Sequence, residues 1–446
     1  MKRTVLIVPI IIIVAFLLMF LSNSTCWAQD SSQPLKKTNE ICRICGMYIE
    51  RFKHTAVYID YKSGSSQAYC GVSCAIRSIN EHGGMDEVKS AHVTGWISEK
   101  PMELKTASYV IGSKLIPDMI PNIIAFDSKE EADEFIKKQG GKIESLDSLL
   151  TSTSYRGLTA PFRIPAAAVP SQGVFNFSSG ASARFMNGLM SKDDSITDTE
   201  AFKTRTSIMD KMTTYMFTQA LGYGVTDDLF LSVSFPYAKK KVISINRSNG
   251  STVQTDKEGL CDIPIMARWR FWHDTYFDKH LGVLGTVTTP TGNYDSAIRD
   301  RNTVQLGNGA PGFTFGPLYS QHVGKFWFHV AATYKWNLEN SDDYKFGDTF
   351  NYGFAIHYLP NTSDLLGFEF DGETCYKNEY RGLKVLNTGR RALYSNFVYQ
   401  KRVLFCFGGN VNVSGLFGFP VYQRVKDIQL GEKYHASAAI QWQRKF

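Results

Sequence analysis

The residues best suited to chemistry are four clustered cysteines. Cys42-Arg43-Ile44-Cys45-Gly46-Met47 sets two thiols three positions apart, followed at once by a glycine and a thioether. A chain turning at that spacing aims both sulfurs at one point. Gly46 permits a tight turn with positive φ, and Met47 offers a third, soft donor. Thiolate plus thioether is the donor set that selects Cu(I) and other soft metals over Mg or Ca. A second pair follows in Cys70-Gly71-Val72-Ser73-Cys74. Four thiols so close together point to a metal or redox site. Two structural disulfides are the competing reading, but they have no use for the adjacent methionine. A thioredoxin-like role for Cys42 and Cys45 lacks the βαβ context and also leaves Met47 unexplained. The chain shows no defensible Ser-His-Asp order, no HExxH and no phosphate loop, so it does not read as an enzyme.

The elements that must position these thiols form an α/β module from residue 41 to about residue 150. Residues 54–61 alternate as a strand, 62–65 form a turn, and 66–69 begin a return strand that leads into Cys70. A helix is expected over residues 74–81, stopping at Gly83-Gly84, with Cys70 and Cys74 one turn apart on one face. The second half repeats this style. Strands are expected at 107–112 and 123–126, with Met119 in the loop between them. Ser128 then caps a helix with Glu131 three residues on, as in a capping box, and Gly140-Gly141 ends it. Residues 151–173 read as a linker with three prolines. Taken as roughly twenty residues and fully extended, it spans at most about 70 Å, at about 3.3–3.6 Å per residue.

The N-terminus has the form of a signal peptide over residues 1–28. Lys2 and Arg3 precede an apolar run from Val5 to Leu21, and small residues lead to a cut after Ala28. An uncleaved anchor helix is the alternative, since the run is roughly seventeen residues. Either way the remainder is exported. Charged residues make up 20% of the chain and the net charge of +7 is scattered, which gives no footprint for nucleic acid.

From residue 174 to 446 the period changes to two. Phe326, Phe328, Val330, Ala332, Tyr334 and Trp336 alternate with Trp327, His329, Ala331, Thr333 and Lys335. Residues 263–272 and 350–359 repeat the pattern. Segments of about ten residues with aromatics at their ends, about twelve in all, fit an all-β antiparallel transmembrane barrel better than a soluble sandwich. The aromatic content of 13% agrees. The expected fold is thus an α+β metal-binding module followed by a barrel in the outer membrane, in contact with its lipid. An even-stranded barrel returns its C-terminus to the side where it began, which places the module in the periplasm.

Residues 41 to about 150 resemble the NosL family of copper-binding accessory proteins. Cys42, Cys45, Gly46 and Met47 carry the likeness, with 107–113, Met119, Ile124-Ala125-Phe126 and Gly140-Gly141. The resemblance implies an exported Cu(I) chaperone with two similar α/β halves, which hands one copper to a partner enzyme in the periplasm. It assigns the ligand role to Cys42, Cys45 and Met47. Cys70 and Cys74 depart from the simplest pattern and look like the CxxC…CxxxC layout of TRASH-type modules. With that second pair Zn(II) also fits, and Met119 is a further candidate ligand. More loosely, residues 174–446 resemble MetA-pathway or transporter-type outer-membrane barrels. Gly259-Leu260-Cys261-Asp262-Ile263 and Thr289-Pro290-Thr291-Gly292 carry that likeness. It implies a monomeric pore with no named cargo. The expected function is a Cu(I)-binding module tethered to a barrel, delivering or scavenging copper. The alternative is an outer-membrane transporter whose zinc- or disulfide-stapled module serves as a plug or docking domain. The terminal strand ending at Phe446 resembles those that the outer-membrane insertion machinery recognises.

Overall fold

The computed structural model describes residues 41–445, except 46, 83, 120, 154–160, 171, 275–277, 296–303, 361–363 and 407–408. The expected leader at 1–28, Gly46, part of the linker and the terminal Phe446 lie outside the described residues.

Two small antiparallel sheets build the N-terminal module. The first has β1 (Val57–Tyr61), β2 (Ser66–Tyr69), β3 (Val88–Thr94) and β4 (Pro101–Glu103) in the order β2-β1-β3-β4, with helix α1 (Val72–Glu81) following β2. The second has β5 (Ser108–Ile111), β6 (Ile123–Phe126) and β7 (Lys142–Glu144) in the order β6-β5-β7, with α2 (Lys129–Gln139) after β6. Helix α3 (Leu146–Thr153) closes the module against α1, where Asn80 Nδ2 donates to Leu150 O at 2.9 Å. The alternation in β1 buries Val57, Ile59 and Tyr61 and leaves Tyr58 exposed. Ile76 and Ile79 of α1 enter the same core. Ser128 caps α2 by accepting from Glu131 N at 3.2 Å. The helix ends at Gly140 and Gly141, both with positive φ, and a Cβ on Gly141 would lie 2.8 Å from Ile111 O.

The rest of the chain is one closed sheet with appended ribbons. Its strands are β8 (Val174–Lys192), β9 (Asp194–Ile196), β10 (Ser207–Gly224), β11 (Leu229–Asn246), β12 (Thr252–Leu260), β13 (Ile263–His273), β14 (Lys279–Thr289), β15 (Gly312–Val323) and β16 (Phe326–Asn337). The short β17 (Tyr344–Lys345) precedes β18 (Thr349–Tyr358) and β19 (Asp364–Cys375). Then come β20 (Glu379–Tyr380), β21 (Leu383–Lys384), β22 (Arg390–Cys406) and β23 (Gly409–Lys445). Among the described residues, eleven elements form a ring from β10 to β23 to β8, closed by the β10–β8 pair; β9 and β12 are extra, making thirteen. Every pairing in the ring is antiparallel. An antiparallel ring needs an even number of passes, so one element must reverse. That element is β23. Its first half pairs β22 and its second half pairs β8. Asp427 stands at the reversal with φ 62°, and Gln423 and Glu432 exchange hydrogen bonds of 2.8 and 2.7 Å across it. The wall therefore makes twelve passes.

Burial is inverted relative to a soluble sandwich. On β16, Phe326, Phe328 and Val330 are exposed outward while Trp327, His329 and Ala331 are buried inward. On β18, Phe350, Tyr352, Phe354 and Ile356 face out while Ala355 and His357 face in. An apolar, aromatic exterior around a polar interior is the arrangement of a membrane-spanning barrel. Short turns join the strands at one end, at 225–228 and 324–325, and longer connections lie at the other, at 290–311 and 376–389. Val174 pairs with Lys445 at the short-turn end, so the chain enters and leaves there. Short turns mark the periplasmic end of outer-membrane barrels.

The segment expected as an extended spacer is partly inside this barrel. Phe162 N and Arg163 N donate to the two oxygens of Glu369 at 2.8 and 2.7 Å. Arg163 pairs with Asp371 at 2.8 Å, and Ala167 N donates to Ser320 Oγ at 2.9 Å. Ile164 and Ala167 pack against Leu284, Leu318, Ala331 and Ala355 of four strands. The segment is apolar enough to fill the lumen, and inward-facing side chains satisfy its backbone donors. The reach of the module is correspondingly shorter than a free linker would allow.

Candidate metal centre

The thiol cluster forms where the two halves of the module meet. Cys42 N donates to Met47 O at 2.9 Å, closing the first loop. Thr55 Oγ1 donates to Cys70 O at 2.7 Å and fixes the end of β2. Cys70 lies before the helix, not on it: α1 starts at Val72 after Gly71 as N-cap. The expected helical pairing of Cys70 with Cys74 is therefore corrected. Gly71 is extended at φ −174°, and this swings Cys70 back toward the first turn of the helix. Cys74 Sγ still lies 3.6 Å from Cys70 Sγ, and Cys45 Sγ lies 3.3 Å from Cys70 Sγ. All four sulfurs, of Cys42, Cys45, Cys70 and Cys74, fall within 4.8 Å of one another. None of the four is in a disulfide.

Both thioethers belong to the core that holds the thiols. Met119 Sδ lies 3.2 Å from Cys74 Sγ. Met47 is buried in the surrounding core, and its carbonyl holds the Cys42 loop. The loop that carries Met119 is pinned from both sides. Asn122 Nδ2 donates to Ser113 O at 2.9 Å and to Leu115 O at 2.6 Å, and Ser73 Oγ donates to Pro121 O. The carboxylate of Asp118 lies against Gly71, where a Cβ would stand 1.5 Å from Asp118 Oδ2. Only glycine admits that approach. Gly71→Ala is expected to push the Met119 loop off the thiols and to weaken metal retention while leaving the barrel folded. Metal content after gel filtration would test it, and full retention of metal would refute the packing argument.

Cys42, Cys70 and Cys74 are buried, while Cys45 is partly open. Burial opposes ionisation of Cys42, but hydrogen bonds from the thiols of Cys45, Cys70 and Cys74 and from the Cys70 backbone hold its pKa well below the ordinary thiol value. Cys70 and Cys74 are pushed well above it, chiefly because their protons are held by Cys42 and Cys45. Thiols must give up their protons to bind a metal, so loading this cluster exchanges protons for a cation. Two of the module's three histidines are engaged elsewhere: His54 Nδ1 faces Glu99 at 3.3 Å and His82 Nδ1 bonds Ser78 O at 2.8 Å.

A buried four-thiol cluster in front of a membrane barrel defines a metal-binding module tethered to an outer-membrane protein. The NosL family model matches residues 34–153, and the family described as "Putative MetA-pathway of phenol degradation" matches residues 191–378. No curated protein matches the chain. Among solved structures, an outer membrane channel from Pseudomonas putida F1 is similar at 16% identity over 63% of this chain and 98% of its own, with a TM-score of 0.48. The copper chaperone NosL from Shewanella denitrificans is similar at 22% identity over 26% of this chain and 92% of its own, with a TM-score of 0.24. A Pseudomonas aeruginosa FadL homologue gives 8% identity over 61% and 90%, with a TM-score of 0.33. The chain thus joins a NosL-like module to an outer-membrane barrel.

Proposed function

We propose that the module binds Cu(I) through Cys42, Cys45, Cys70 and Cys74, with Met119 as an additional soft donor, and delivers or scavenges copper at the periplasmic face of the outer membrane. The observation that carries this reading is the contact of a thioether with a four-thiol cluster. Zn(II) is satisfied by four thiolates and draws its other ligands from imidazole and carboxylate. A thioether favours a softer ion. The match of the NosL family model to residues 34–153 supports the same choice. The barrel anchors the module in lipid, and the acceptor is a copper enzyme of the periplasm. Cys45, the partly open thiol, is where an acceptor ligand begins the exchange.

The test is a competition titration of the purified full chain in detergent. Copper loaded as Cu(I) is expected to survive a Cu(I) chelator that strips loosely bound metal, and excess Zn(II) should not displace it. Zinc binding in preference to copper would overturn the assignment.

A further inference from the structure

Five of the nine histidines, His280, His322, His329, His357 and His435, are buried on the inward side of the barrel. The first four lie near the short-turn end, where the module is attached. A lone buried histidine has an ordinary structural explanation, but here cross-strand register groups them. Ser320 is opposite His329, His329 is opposite Ala355, and Ala355 is opposite Glu369. Trp327 is opposite His357, and His357 is opposite Gly367. The small residues at 355 and 367 make room. A Cβ on Gly367 would lie 2.8 Å from His357 Cδ2. The His329 and His357 rings therefore lean together, with centroids 5.2 Å apart.

Each ring has one nitrogen fixed and one left over. His329 Nδ1 is 2.8 Å from Ser320 Oγ, and His357 Nε2 is 3.3 Å from Glu369 Oε1. His329 Nε2 and His357 Nδ1 are buried with no hydrogen-bond partner among the described residues. Such groups are costly unless something satisfies them. An imidazole held through one nitrogen by a carboxylate or hydroxyl, with its other nitrogen presented, is how proteins orient metal-ligating histidines. At the rim, His322 repeats the device, with Nδ1 3.2 Å from Asp278 Oδ1 and an unpartnered Nε2. The thiol loop also reaches this end: Ile44 O, next to Cys45, accepts from Asn410 Nδ2 at 3.3 Å, beside the turn between β22 and β23.

We propose that His329 and His357 form a second Cu(I) site, with nitrogen donors, just inside the periplasmic end of the barrel, which takes copper released by the thiol cluster. The proposal rests on the copper reading of the module. Two neutral imidazole nitrogens suit a low-coordinate Cu(I) ion, and imidazole is an accepted copper ligand. The Glu369 carboxylate beside His357 supplies countercharge. Transfer is ligand exchange without redox change. Sulfur–copper bonds are replaced by nitrogen–copper bonds, the ion stays Cu(I), and the thiols recover the protons they gave up on loading.

Copper K-edge absorption of the full chain in detergent, loaded with Cu(I) alone, distinguishes the two sites. The first equivalent is expected to show sulfur scatterers, and a second equivalent is expected to add nitrogen scatterers without further sulfur. The variant Cys42→Ser/Cys45→Ser should lose the sulfur-bound copper and keep the nitrogen-bound one. The variant His329→Ala/His357→Ala, checked for folding by heat-dependent mobility in detergent gels, should show the reverse. A second equivalent of wild type that does not bind, or binds only to sulfur, overturns the proposal without any variant. So does a nitrogen signal that persists in the histidine variant. Absence of the sulfur signal at the first equivalent would instead defeat the reading of the module.

Discussion

Cys42→Ser is expected to leave a folded full-length protein that surrenders Cu(I) to a chelator wild type resists. Cys42 is buried at the centre of the cluster and receives hydrogen bonds from the other three thiols. A hydroxyl there is a hard donor that keeps its proton. The loss in affinity should exceed the roughly 10–100-fold cost of removing an outer-shell partner of a metal site. Met119→Leu should cost less, because a neutral sulfur brings no charge to the ion. The pH dependence has a definite sign. Cys70 and Cys74 have raised pKa values and keep their protons below them, so the metal must displace those protons. Affinity should therefore rise with pH across the neutral range, by about tenfold per pH unit for each proton displaced. Cys42, held well below the ordinary thiol value, should add less slope than Cys70 and Cys74. Competition titrations at several pH values read both effects. An affinity independent of pH, or a Cys42→Ser chain that holds copper as wild type does, would remove the cluster as the site.

Val330→Arg should destabilise the barrel by about 2–4 kcal/mol if the residue sits near the bilayer midplane, less toward the interface. Val330 is exposed on the outer face of β16, between the inward-facing His329 and Ala331. In a water-soluble sandwich the same exposed position would tolerate arginine within about 0.5 kcal/mol. Denaturant unfolding from lipid vesicles measures the difference. A neutral result would mean that the apolar exterior does not face lipid.

Much of the architecture was legible because it is written in local periods. The alternation at 326–336 marks a strand whichever partner it finds, and strands of that kind repeated across the C-terminal part of the chain already imply a barrel. Ser128 with Glu131 and the Gly140-Gly141 pair bound α2 by local backbone chemistry alone. The complete capping box lies elsewhere, at Thr197 and Glu200, where both reciprocal bonds form.

The sequence by itself determined that Cys42, Cys45, Cys70 and Cys74 are near enough in the chain to converge, and that residues 174–446 cross a membrane as strands. Tertiary structure decided that a thioether remote in sequence touches the thiols: Met119, pinned by Asn122 and by the fit of Asp118 against Gly71, reaches Cys74. It also decided that the segment after the module folds into the lumen, since Glu369 and Ser320 meet Phe162, Arg163 and Ala167 only once the wall has closed around them. His329 and His357 are 28 positions apart and look like isolated histidines. Strand register, set by pairing across neighbours and not by any local signal, is what brings their rings together.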